Sequence, residues 1–244
     1  VGLGMGACST AAVAETAPAG GMKIFLLIGQ SNMAGRGEIE AIDQVVHPRV
    51  FVLNQARGWV PALDPLHFDK PKIAGVGLGS TFGRVIADLE PSAVVGLVPA
   101  AFGGTSMDEW SVEGKLYADA VSRAKEALKR GTLAGILWHQ GEADSAEAKA
   151  AVYADKFAVM IARLRQDLGA PNVPVVVGET GRFRESPTAI NEVLASLPQR
   201  VAHCAFVDAS GLGHKGDKVH FDSASFRELG RRYAEAWTAL REKR

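Results

Sequence analysis

Cysteine is scarce, with only Cys8 and Cys204 among 244 residues. Two thiols cannot make a disulfide scaffold, and neither stands at the Cys-x-x-Cys spacing that zinc or redox chemistry needs. An excess of either charge is also missing, because 27 Lys and Arg face 27 Asp and Glu. A formal charge of zero gives no long-range pull toward nucleic acid or anionic lipid. No stretch of about eighteen uncharged apolar residues occurs, so no membrane-spanning helix is encoded. What is present is ordinary globular composition, 47% hydrophobic and 22% charged. A chain of this length buries one sizeable core, and a single domain over residues 23–244 is expected.

The first 22 residues are mostly small and carry one charge, Glu15, with no helical or strand period. They read as a tail. Met5-Gly6-Ala7-Cys8-Ser9 looks like the end of a lipoprotein signal, small residues leading to a lipidated Cys, although the basic start and apolar stretch that should come before it are absent. Either a trimmed export signal or a leader without a biological role fits; export or lipid anchoring through Cys8 is one expectation. Cys204 lies in the apolar run His203 to Val207 and reads as an inert small hydrophobe.

From Lys23 onward, short apolar runs alternate with longer segments of helical period. Strands are expected at Lys23–Ile28, Val50–Leu53, Val94–Val98, Gly135–His139, Val173–Val177 and Ala205–Asp208. Tyr117, Val121, Ala124 and Leu128 fall on one helical face. So do Tyr153, Phe157, Met160, Ile161, Leu164 and Leu168, and later Phe226, Leu229, Tyr233, Trp237 and Leu240. Ser225 followed by Glu228 suggests a capping box opening the last helix. The alternation predicts a three-layer α/β fold around a parallel sheet, with its chemistry on the rim at the strands' carboxyl ends.

Four polar clusters fall on that rim. Gly29-Gln30-Ser31-Asn32-Met33-Ala34-Gly35 follows the first strand. A serine at such a turn exposes its hydroxyl with its own N–H aimed at the same space, as an acyl-transfer nucleophile requires. Phe102-Gly103-Gly104-Thr105-Ser106 follows the third strand, and the Gly104 N–H is a candidate donor to an oxyanion. Trp138-His139-Gln140-Gly141-Glu142-Ala143-Asp144 follows the fourth, with the Gln140 amide as a second candidate donor. His139, at a buried strand end, reads as a core histidine. Gly216 to Asp222 precedes the last helix, and a turn there can bring the Asp217 carboxylate to Nδ1 of His220, leaving Nε2 as general base. Each cluster alone is explained by a tight turn or helix cap. Together, on one rim, they spell a serine hydrolase.

The set Gly-Gln-Ser-Asn, Gly-Gly-Thr-Ser, His-Gln-Gly-Glu and Asp-x-x-His resembles the SGNH-hydrolase superfamily, in particular carbohydrate esterase family six and the sialate O-acetylesterase-like domains. The resemblance spans about Lys23 to Tyr233. It implies a flavodoxin-like α/β/α sandwich with a five-stranded parallel core, and removal of O-acetyl groups from sugars such as acetylxylan. By the same resemblance Ser31 matches the nucleophile, Gly104 the second-block glycine, and Asp217 and His220 the last-block pair. Gln140 stands where more typical superfamily members carry asparagine. Glu142 is an alternative or additional acid for orienting His220. The implied chemistry is an acyl-enzyme with its oxyanion held by Ser31, Gly104 and Gln140, and with no metal or organic cofactor.

For the sugar, Trp59 and Trp110 are candidate stacking platforms and Arg36 a candidate hydroxyl partner. The partner expected is an acetylated carbohydrate, with no nucleic acid. A sialate O-acetylesterase or a broad small-acyl esterase is the nearest alternative, and a non-catalytic sugar-binding α/β domain the rival of another class. Nucleotide binding at Gly75-Val76-Gly77-Leu78-Gly79-Ser80 lacks the spacing of either phosphate-loop fingerprint.

Overall fold

The structure is a computed structural model describing residues 17–18, 20–183 and 188–242. Cys8 and the candidate signal remnant lie outside the described residues. Seven strands form one sheet: β1 (Met22–Gly29), β2 (Val50–Leu53), β3 (Trp59–Pro61), β4 (Val95–Pro99), β5 (Gly131–His139), β6 (Val175–Gly178) and β7 (Cys204–Val207), in the order β3-β2-β4-β1-β5-β6-β7. Six are mutually parallel and β3 adds an antiparallel edge. The expected sandwich is present, but its sheet is wider than five strands. β3 escaped sequence reading because three residues hold no measurable period; Asn54 builds its turn by accepting the Gly58 N–H at 2.9 Å.

The helices are α1 (Ser31–Ala34), α2 (Leu78–Leu89), α3 (Lys115–Ala127), α4 (Glu147–Asp167), α5 (Thr188–Arg200) and α6 (Ser223–Glu242). Alternation along β1 sends Ile24, Leu26 and Ile28 to one face and Phe25 and Leu27 to the other. The first face packs on Trp110, Trp138, Tyr153 and Phe157; the second on Phe82, Phe226, Leu229 and Trp237. Burial on both faces is why these strands read as unbroken apolar runs.

Two local expectations change. The last helix opens at Ser223, and Asp222 caps it by accepting the Ser225 N–H at 2.8 Å. Ser225 instead accepts the Gly213 N–H, and Glu228 pairs with Arg231 and Arg232, so no capping box forms there. The glycine-rich run opens α2, with Gly77 at its N-cap, and its glycines permit close backbone contact. Gly35 has φ +87°, and a Cβ there would stand 2.7 Å from Gly75 O and Gly77 N. Cys204 is buried, and burial pushes its thiol up to about 12, consistent with an inert side chain. Among the described residues no helix is long and apolar enough to cross a membrane.

Candidate active site

The four clusters converge at the carboxyl ends of the strands, as connectivity rules for open α/β sheets require. Ser31 follows β1 as the first residue of α1, where backbone N–H groups lack intrahelical partners. The turn depends on Gly29: φ is +132°, and a Cβ would fall 2.1 Å from the His139 carbonyl oxygen.

His220, between β7 and α6, meets that serine. Its Nε2 lies 3.0 Å from Ser31 Oγ, and its Nδ1 lies 2.7 Å from Asp217 Oδ2. The other Asp217 oxygen accepts the backbone N–H groups of Val219 and His220 at 2.9 and 2.8 Å. Partial burial alone would raise the Asp217 carboxyl, but hydrogen bonds from the His220 backbone and ring and from Val219 outweigh it and hold the group down at about 2. Asp217 is therefore an anion fixed on the side of the imidazole away from Ser31.

Glu142, the other carboxylate considered, is placed elsewhere. Its Oε1 accepts from Asn32 Nδ2 at 2.5 Å and stands 3.9 Å from His139 Nε2. Asn32 also donates to Val219 O at 3.0 Å and accepts the Phe221 N–H at 3.3 Å. One amide thus grips the backbone on both sides of His220, and Glu142 holds that amide. Sequence reasoning overlooked Asn32, although it is the fourth residue of Gly-Gln-Ser-Asn.

The second-block loop is fixed by a different pair. Gly103 N–H donates to Asp69 Oδ2 at 2.8 Å, and Asp69 forms a buried ion pair with Arg36 at 2.6 Å. Burial would raise the Asp69 carboxyl, but the Arg36 and Gly103 hydrogen bonds hold it below its ordinary value. Gly104 follows at φ +87°, a backbone that a side chain would strain.

Four expected roles need correction. Gln140 is fully buried and turned inward: Nε2 donates to Thr105 O and Asp144 Oδ2, while Oε1 accepts from Tyr153, so its amide is spent inside the fold. Arg36 is 3% exposed and turned to Asp69 and the Gly35 carbonyl, so its guanidinium is buried rather than offered to a sugar. Trp110 is buried edge-on against Trp138, its Nε1–H bonded to Thr105 Oγ1. Trp59 covers Gly96, which pairs with Ile24 near the start of β1. Ser31 lies seven residues further along, on the order of 20 Å away at the strand rise. His139 is the core residue expected, fully buried, with burial lowering its basicity and Tyr233 Oη 3.0 Å from Nδ1.

Comparison with known proteins defines the class. The structure superposes on a crystal structure from Arabidopsis thaliana with TM-score 0.81 at 32% identity, covering 89% of this chain and 98% of that one. NanS follows at TM-score 0.78 and 21% identity, covering 92% and 98%. A carbohydrate acetylesterase from Xanthomonas citri reaches 0.68 at 19% identity, covering 91% of this chain and 57% of that one. In sequence, a probable carbohydrate esterase of Arabidopsis thaliana is 34% identical over 238 residues, 88% of this chain and 90% of its own. The protein is a carboxylic ester hydrolase of the carbohydrate acetylesterase type. Within that class, residues 21–239 match the profile of the carbohydrate esterases described as sialic acid-specific acetylesterases, and the chain belongs to that family.

Proposed function

We propose that this esterase removes O-acetyl groups from carbohydrates through an acyl-enzyme on Ser31, with His220 as the base and Asp217 as the orienting acid. The observation that carries this reading is the 3.0 Å approach of His220 Nε2 to Ser31 Oγ, with Asp217 at 2.7 Å from Nδ1. His220 takes the hydroxyl proton as Ser31 Oγ bonds to the acetyl carbon, and the carbonyl electrons move onto oxygen. The N–H groups of Ser31 and Gly104 receive that charge. As the tetrahedral centre collapses, the bond to the sugar oxygen breaks and His220 returns the proton to the leaving hydroxyl. Water, deprotonated by His220, then attacks the acetyl-serine, and acetate departs with Ser31 restored. Asp217 fixes the tautomer and stabilises the transient imidazolium. Asn32 and Glu142 serve as positioning residues for the His220 loop.

Acetylxylan-type esters and O-acetyl sialates are the substrates to compare, with broad small-acyl activity as the third outcome. The test is acetate release from acetylxylan, O-acetyl sialic acid, acetylated glucose and a longer-chain ester, with Ser31→Ala alongside. Ser31→Ala should lower turnover by roughly four orders of magnitude or more and abolish labelling by an organophosphonate. Wild-type hydrolysis of 4-nitrophenyl acetate by Ser31→Ala would overturn the assignment.

A further inference from the structure

The segment that carries Asp217 and His220 closes on itself as a small hairpin, with His214 and Phe221 bridging its two arms. Lys215 N–H donates to His220 O at 3.1 Å, and Asp222 N–H to Gly213 O at 3.3 Å. Both triad members therefore ride on one closed loop. Its backbone is costly to hold. Gly216 has φ +111° and Lys218 φ +54°, so left-handed residues stand on either side of Asp217, and lysine is not a residue that favours that region.

The side chain of His214 braces this turn. Its Nδ1 lies 3.0 Å from Gly216 N and 3.3 Å from Lys218 N, and both N–H groups donate to it. One ring nitrogen thus takes the backbone on both sides of Asp217. The Asn32 amide does the same around His220, through Val219 O and the Phe221 N–H. The imidazole is itself kept in place by Phe183, beyond β6, whose ring centroid lies 5.1 Å from that of His214 and 5.2 Å from that of Phe221.

Two amide donors fix the tautomer. A nitrogen that accepts them carries no proton, so the proton of His214 sits on Nε2. His220 is the reverse: its Nδ1–H donates to the Asp217 carboxylate, and its Nε2 faces the Ser31 hydroxyl as acceptor. The two histidines of one hairpin thus need opposite tautomers.

We infer that His214 is a positioning residue for the triad, the acceptor that sets the Asp217 turn so that its carboxylate meets His220 Nδ1. The inference rests on the esterase reading above and deepens it. Without the acceptor, the N–H groups of Gly216 and Lys218 turn to water, the left-handed backbone at Lys218 loses its support, and the carboxylate drifts from the ring. Proton transfer from Ser31 tolerates little drift, since misplacement by about 1 Å can cost about a hundredfold.

The test compares wild type with His214→Phe, which keeps a ring against Phe183 but has no acceptor, and His214→Asn, whose Oδ1 can accept near the place of Nδ1. The substrate is 4-nitrophenyl acetate, with active sites counted by organophosphonate labelling. His214→Phe should lose about 10- to 30-fold in kcat with KM within about twofold of wild type, and His214→Asn should recover to within about threefold. Nitrogen NMR of the wild-type imidazoles should place the proton of His214 on Nε2 and that of His220 on Nδ1, a readout that stands even if neither variant folds. The role of His214 is overturned by an unchanged kcat in His214→Phe, by equal losses in the two variants, by a change confined to KM, or by a His214 proton on Nδ1. A wild type that neither cleaves the ester nor takes the phosphonate on Ser31 would overturn the esterase reading instead, and the tautomers would still decide whether His214 braces the turn.

Discussion

His220 and His139 both lie beyond or at the end of a strand of the same sheet, and each stands near a carboxylate. His220 keeps 22% of its side chain accessible, holds Asp217 on one nitrogen and reaches Ser31 with the other. His139 is sealed beneath it, with Tyr233 on Nδ1 and the Glu142 carboxylate 3.9 Å from Nε2. The outer layer, Ser31, His220 and Asp217, is linked by two hydrogen bonds along which a proton can move. The layer below, Asn32, Glu142, His139, Gln140 and Asp144, is tied into buried hydrogen bonds that fix the loops above. Identical side-chain chemistry thus becomes machinery or scaffold according to burial and to which donors face it.

Exchanging the acids tests that division most severely. Asp217→Asn should lower kcat by about a thousandfold or more, because the wrong His220 tautomer is then favoured. Glu142→Gln keeps an oxygen able to accept from Asn32, and its kcat should stay within about tenfold of wild type. Comparable losses in the two would erase the distinction between the layers.

Carboxyl groups away from the site extend the comparison. Asp217 is held at about 2 by surrounding donors, whereas burial lifts Asp64 to about 7. A folded-state value above the unfolded one means that the stabilisation is complete below about pH 4 and lost as pH rises through about 7. Up to about 4 kcal/mol is at stake across that window. Denaturant titrations of Asp64→Asn should show a shallower fall in stability between pH 4 and 8; an unchanged slope would assign the effect to other groups.

Smaller effects probe the scaffold. Asn32→Ala should cost about 10- to 100-fold in kcat, leave KM nearly unmoved and slow phosphonate labelling of Ser31, since a loosened His220 loop impairs proton transfer. A change in KM alone would refute the positioning role. Gln140→Ala should destabilise by about 2 kcal/mol, the cost of stranding buried partners, with kcat little altered. A hundredfold loss of kcat at full stability would return Gln140 to the oxyanion.

Much of this was legible before folding. Unbroken apolar runs located six strands because burial on both faces demands them, and the Ser31, Gly104 and His220 loops announced themselves through glycine and polar residues crowded after strands. What could not be read was direction. Arg36, Trp110 and Gln140 have side chains that would suit a sugar or an oxyanion, yet each points into the protein toward Asp69, Trp138 or Thr105, residues remote in sequence. Trp59 was misread because β3 pairs with β2 at the end of the sheet remote from Ser31. The choice between Asp217 and Glu142 was open for the same reason, since both are plausible neighbours of an imidazole until the loops are placed.

By itself, the sequence determined the alternation of strand and helix, the rim on which polar loops gather, and the residues able to transfer an acyl group. Local spacing encodes these because backbone periodicity and turn chemistry act over a few residues. Only the tertiary structure decided that Ser31 meets His220 across 189 positions and that Asn32 and Glu142 brace that meeting. Those outcomes depend on how distant segments pack, and packing sets which polar groups keep access to substrate and which are consumed in holding the fold.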